Sequence, residues 1–171
     1  SGGYAIVATK KPGRLHGLDL MTGARAWFTG FGEERRLDIT GRPVLGSTGT
    51  VFVVLGGRRV ACVDRGSGNV RWERALPYWV EEVRPVPGVD CVLAVAPPAG
   101  VQAPFAVLRT ADGRAVWQAE PVKRGRMERV FVGPERIYAV HSQGTEFQLV
   151  AYELRTGKRL WEWNAPAGQA A

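Results

Sequence analysis

The chain has 171 residues, 45% of them hydrophobic, with 22 Gly and 11 Pro, and 23 Lys+Arg stand against 16 Asp+Glu for a formal charge of +7. That length holds one ordinary domain with a real core, and the hydrophobic fraction excludes a disordered or collagen-like chain. The basic excess, nearly all arginine, permits an acidic partner without requiring one, while two cysteines (Cys62, Cys91) and two histidines (His16, His141) read as neither a disulfide scaffold nor a four-ligand zinc site.

Ser1-Gly2-Gly3 leads at once into the strand-like run 4–9, so the beginning is expected to be processed or cut. Two further strands are predicted over 15–22 and 25–30. The next unit opens with a short run and turn at 42–46, followed by the apolar run 51–55 and a hairpin over 63–72. A third unit repeats this order at 83–88, 91–95 and 108–117, and a fourth at 129–133, 137–140 and 152–161. The uncharged stretch from Cys91 to Leu108 is long enough to bring a membrane span to mind, but its three prolines break the helix that a span requires, and two short strands around a Pro/Gly loop account for it.

The hairpins align without gaps as LDLMTGARAW, VDRGSGNVRW, LRTADGRAVW and YELRTGKRLW. Their glycines, Gly23, Gly68, Gly113 and Gly157, are 45, 45 and 44 residues apart, and each is followed four positions later by Trp27, Trp72, Trp117 or Trp161. Thr22, Ser67, Asp112 and Thr156 precede them, small polar residues that cap tight turns, while the glycine supplies positive φ. A repeat of about 45 residues made of four short strands, a to d, with the tryptophan opening d, is the arithmetic of a β-propeller blade. Polarity agrees: strand b is apolar on both parities and strand c buries both Leu15, Val60, Phe105, Leu149 and Leu18, Val63, Leu108, Tyr152. A strand packed between two neighbouring blades needs two apolar faces, and a two-sheet sandwich does not supply that. The chain therefore reads as one all-β propeller over 1–171, with blades at about 4–30, 41–76, 82–120 and 128–165, the first lacking strand a.

Leu18-Asp19-Leu20-Met21-Thr22-Gly23 followed by Trp27 resembles the pyrroloquinoline-quinone-like (PQQ-like) repeat, with strand c and turn running A-L-D-x-x-T-G-x-x-x-W. Asp19 and Asp64 match its acidic position, Glu153 is a conservative replacement, and Arg109 departs from it. The resemblance spans all four units and implies the propeller fold. The repeat is shared by quinoprotein dehydrogenases, by the outer-membrane assembly lipoprotein of Gram-negative bacteria and by sensor regions of bacterial receptor kinases, so chemistry does not transfer with it.

Each candidate site has a structural reading beside it. The four aligned tryptophans are read as blade-packing residues, because they recur on a strand at a fixed offset from a turn. Trp79 and Trp163 stand outside that column, and Trp79, between blades, is the tryptophan considered for a binding surface, with packing as the favoured reading beside it. The recurring acidic residues are read as local turn supports, since catalysis needs different residues converging on one point. The quinoprotein relatives hold their quinone and a calcium ion on the axis beside adjacent cysteines, whereas Cys62 and Cys91 are 29 residues apart. No cofactor or metal is therefore expected, both cysteines are read as buried small residues, and His16 and His141 as satisfied structural histidines.

In a meander blade the b–c loops and d–a connections emerge together on one face of the disc. The former carry Lys10, Lys11, Arg14, Arg58 and Arg59, the latter Arg35, Arg36, Lys123, Arg124 and Arg126. With Trp79 these form the candidate binding face. A mixed solvated rim tempered by Glu33, Glu34, Glu81, Glu82 and Glu146 accounts for the face as well as an acidic peptide or domain does. Nucleic acid accounts for it less well, because loop aromatics for base stacking are nearly missing. Fifteen predicted strands leave blade one incomplete, which implies part of a longer propeller, two copies forming eight blades through open edges, or a strained four-blade ring. The expectation is a non-enzymatic binding or scaffold module, the sensory or interaction part of a bacterial envelope protein or receptor kinase, placed in the periplasm or outside the cell. The alternative is a fragment of a PQQ-dependent dehydrogenase.

Overall fold

The structure is a computed structural model that describes residues 3–31, 37–97, 105–119 and 125–165. Fifteen strands form four antiparallel sheets, each a meander in chain order, with no helix among the described residues. Blade one consists of β1 (Tyr4–Thr9), β2 (Arg14–Asp19) and β3 (Arg25–Gly30), and blade two of β4 (Val44–Leu45), β5 (Thr50–Leu55), β6 (Arg59–Asp64) and β7 (Val70–Ala75). Blade three contains β8 (Glu82–Pro85), β9 (Cys91–Val95), β10 (Phe105–Arg109) and β11 (Ala115–Gln118). Blade four contains β12 (Arg126–Val132), β13 (Arg136–Gln143), β14 (Glu146–Glu153) and β15 (Arg159–Asn164). This is a four-blade β-propeller whose first blade has three strands. The stretch read as two strands around a loop supplies β9 and β10, with 98–104 outside the described residues.

The core is divided into three clusters, one at each junction between successive blades. Strand β5 shows why both parities had to be apolar: Val51, Val53 and Leu55 join Leu15 and Trp27 of blade one, while Phe52 and Val54 join Val92, Ala94, Ala106 and Leu108 of blade three. The third cluster packs Leu93, Phe105 and Val107 against Met127, Val130, Ile137 and Ala139. Burial of such side chains is the dominant favourable term, about 1.5–3 kcal/mol each. β1 departs from the pattern: Val7 is 44% exposed, because no blade covers the far side of blade one among the described residues.

Each tryptophan of the first three blades reaches the hairpin turn of the next. Trp27 Nε1–H donates to the Arg65 carbonyl at 2.9 Å, Trp72 to Thr110 at 2.7 Å and Trp117 to Leu154 at 2.7 Å. The ring lies flat against the turn glycine: a Cβ on Gly68 or Gly113 would fall 2.5 Å from the Trp27 or Trp72 ring, and Gly157 is covered by Trp117 in the same way. These glycines also hold φ of +77°, +69° and +72°, so a side chain is excluded twice, by backbone conformation and by the indole. In blades one and two the tryptophan's own blade makes room with a small partner across the hairpin, Gly17 opposite Trp27 and Cys62 opposite Trp72, just before a repeated register shift.

Trp161 differs from the other three members of the column. It follows its glycine at the same offset, yet it is 40% exposed, because among the described residues no blade lies beyond blade four. We expect Trp72→Ala to destabilise the domain by roughly 3–5 kcal/mol, as loss of a buried aromatic does, and Trp161→Ala by less than about 1 kcal/mol, as for a surface change. Urea unfolding of the two variants checks both values, and equal losses would contradict the assignment.

Candidate functional site

The acidic column supports the turns. Asp19 Oδ1 accepts the N–H groups of Met21 and Thr22, both at 2.9 Å, and Asp64 Oδ1 accepts those of Gly66 at 3.0 Å and Ser67 at 2.9 Å. The Thr22 and Ser67 hydroxyls then accept the N–H two residues on. At Arg109, where the acidic residue is missing, the guanidinium grips Asp112 through two bonds of 2.9 and 2.6 Å, and Asp112 takes over the capping of Arg114 N–H. Glu153 accepts from Thr156. The Arg71 guanidinium, 2.6 Å from Asp64, is the largest influence holding that carboxyl well below the carboxylate range, followed by the Ser67 N–H; for Asp19 the Thr22 N–H comes first. These carboxylates are occupied by their own hairpins.

The b–c loops and d–a connections meet on the opposite face from those turns. Backbone bonds tie them together: Ile39 N–H to the Lys10 carbonyl at 3.1 Å, Val80 N–H to Gly57 at 2.7 Å and Leu76 N–H to Arg58 at 2.8 Å. Lys10, Lys11, Arg14, Arg58 and Arg59 stand at the b–c ends of blades one and two, Arg58 and Gly57 being tied to the segment that carries Trp79, and Arg126 opens β12 of blade four. Arg35, Arg36, Lys123 and Arg124, and with them Glu33 and Glu34, lie outside the described residues. Several charges are paired: Lys11 with Asp38 at 3.9 Å, Arg59 with Glu73 at 3.7 Å and Arg126 with Glu128 at 2.5 Å. Arg14 instead lies over the Phe28 ring, 5.7 Å from its centroid. Trp79 is 50% exposed and its ring rests on Gly57, whose φ of +69° and missing side chain make the seat. An indole held on backbone beside Arg58 is a fixed, half-open aromatic surface.

Two adjoining clefts, of about 420 and 540 Å³, were not visible in the sequence. They lie between blades three and four on the turn side of the disc and share Gly88, Val89, Leu154 and Arg155. Turn residues from two different blades build them, and no spacing rule connects such positions. Cys91 lines the smaller one, with a thiol whose pKa burial pushes up. Burial likewise pushes the Cys62 thiol up to about 11. The reading of His141 as a satisfied histidine is corrected: it is 5% exposed and its Nδ1 has no hydrogen-bond partner among the described residues, and burial, then the Arg159 charge, lower its pKa and favour the neutral form. His16 packs against Phe28, ring centroids 5.5 Å apart. No three His, Cys, Asp or Glu residues come together as a cation site among the described residues.

The sequence profile of the family described as outer membrane protein assembly factor BamB matches residues 11–171. The chain belongs to that family. No curated protein matches it in sequence. Among solved structures it is similar to BamB from Moraxella catarrhalis, with 18% identity and a TM-score of 0.67 over 94% of this chain and 45% of that one. It is similar also to a europium-containing methanol dehydrogenase, with 14% identity and a TM-score of 0.67 over 95% and 40%. The quinohemoprotein alcohol dehydrogenase from Comamonas testosteroni gives 16% identity and 0.67 over 95% and 33%. At these identities the likeness is one of fold, the PQQ-like propeller, and the chain spans less than half the length of each of the three.

Because the Asp64 carboxyl is lowered in the folded protein, its contribution is fully present above the unfolded carboxylate range near about pH 4 and is lost as the pH falls toward the folded value. We therefore expect Asp64→Asn, which keeps an oxygen for the turn but loses the charge facing Arg71, to be less stable than the parent at neutral pH. The gap should narrow below about pH 4. Urea midpoints at pH 7 and pH 3 measure it, and a gap that widens in acid would contradict the turn role.

Proposed function

We propose that this propeller module binds an acidic protein segment on its b–c and d–a face and performs no chemistry of its own. The observation that carries the reading is Trp79, an indole half open to solvent yet fixed on Gly57, with Arg58 adjoining. Interface anchors are enriched in Trp and Arg, and an aromatic already held in place loses little entropy on binding. Neither Lys10 nor Arg58 forms an ion pair among the described residues, so both charges are available to steer an acidic partner. The family supports a protein partner, since its description is that of an assembly factor, and an envelope location outside the cytoplasm goes with that description. A sensory role in a receptor kinase stays within the same reading, because there too the propeller binds and a separate unit acts.

The dehydrogenase alternative is favoured by one observation, the fold shared with the methanol and quinohemoprotein enzymes. Two measurements separate the readings. A fluorescent peptide of alternating Glu and Leu should bind with an affinity that falls with salt, and Trp79→Ala and Arg58→Glu should each weaken it roughly tenfold or more. Equal affinity for a Lys-for-Glu peptide would overturn the proposal. So would dye-linked alcohol oxidation on addition of pyrroloquinoline quinone and Ca²⁺, which would establish the enzyme instead.

A further inference from the structure

The hairpins of blades two and three align residue by residue, and where they differ a cavity opens. In blade two the residue before the tryptophan is Arg71, whose guanidinium reaches back to Asp64 at 2.6 Å. In blade three the same two positions hold Val116 and Arg109, and Arg109 grips Asp112 of its own turn instead. The short Val116 in place of an arginine leaves room, and the smaller of the two clefts, about 420 Å³, lies there. Its lining includes Val89, Cys91, Val107, Val116, Leu154 and Arg155, and a Cβ on Gly88 at its edge would meet nothing within 4 Å. Both walls are held by hydrogen bonds. Trp117 Nε1–H donates to the Leu154 carbonyl at 2.7 Å, Leu154 N–H to the Glu135 carbonyl at 2.9 Å, and Thr110 N–H to the Asp90 carbonyl at 3.0 Å. A preformed, mostly apolar cavity of this size with few polar groups is the usual form of a small-molecule site.

We propose that this cleft binds an aliphatic monocarboxylate of medium chain length, its chain on the valines and Leu154 and its carboxylate on Arg155. The charges around the cleft choose the sign of the ligand. After burial, the Cys91 thiol feels Asp90, Arg109 and Arg155, in that order. Arg109 is engaged by Asp112, and Asp90 acts also on Arg71 of blade two, after Asp64. Arg155 forms no ion pair among the described residues, and its planar fork suits a carboxylate. The equivalent turn positions of the other blades hold Met21, Gly66 and Ala111, so this cation is added once, in the turn that borders the cleft. The adjoining cleft of about 540 Å³ brings Glu135 and Glu153 to the far side of Arg155, where a second negative group on the ligand would be repelled. One carboxylate is therefore the limit. This inference is independent of the acidic-partner reading, which uses the opposite face of the disc.

Calorimetric titration of the chain with sodium octanoate tests it, with octylamine and octanol as controls of equal length. Octanoate is expected to bind saturably, and both controls roughly tenfold more weakly or worse. Arg155→Ala should weaken octanoate roughly tenfold or more, and Arg155→Lys, which keeps the charge but not the fork, should recover part of the loss. Val116→Phe fills the cleft and should remove binding while leaving the urea midpoint near that of the parent; should it fail to fold, Val116→Met takes its place. Absence of saturable octanoate binding overturns the proposal. So does octylamine binding as tightly as octanoate, or octanoate binding that survives Arg155→Ala or a folded cleft-filling variant. A short peptide ending in a free leucine carboxylate that binds more tightly than octanoate overturns it equally, because the occupant would then be a chain terminus.

Discussion

The contact on which this fold depends is an indole laid on a glycine, with its N–H given to a carbonyl three residues earlier in the same turn. Its donor stands four residues after one hairpin turn and its seat is the next, so a single contact sets both the length of the unit and the position of one blade on another. An isolated blade exposes two apolar faces and has no stable core of its own. The indole removes that exposure in steps, one junction at a time, which is the logic of a repeat architecture. Its hydrogen bond adds about 1 kcal/mol and, more importantly, leaves no buried N–H without a partner.

From this contact the distribution of burial follows. Blades two and three have neighbours on both faces, and the strands β5 and β9 at their hearts are almost wholly enclosed. Among the described residues, blades one and four have a neighbour on one face only, and β1 and β15 are the most open strands of their kinds. Charge is left to the loops and the outer strand. There the hairpin carboxylates are taken up by turn N–H groups and by arginines such as Arg71.

What was legible in the sequence is whatever repeats. Gly23, Gly68, Gly113 and Gly157 could be aligned because the same steric demand returns every 45 residues or so, and the two-sided apolarity of 51–55 announced two neighbours. Contacts between non-equivalent positions were not legible. Nothing in the spacing of Gly88, Leu154 and Arg155 indicates that they border one cleft, since they come from an a–b turn and a c–d turn of different blades. Trp161 shows a third limit: its motif is the same as that of Trp72, and only the presence of a next blade decides whether the ring is core or surface.

That limit bears on where specificity can reside. A residue that every blade carries serves every blade, and removing it harms stability before it harms recognition. A partner is distinguished by positions the repeat leaves free, and Trp79 is such a position: it lies off the tryptophan column, its seat is the positive-φ Gly57 in a b–c loop, and its ring faces solvent rather than a neighbouring sheet. The scaffold and the proposed recognition surface thus use the same two residue types, tryptophan on glycine, at each described junction to join blades and, out of register, to hold an aromatic ring open on the rim.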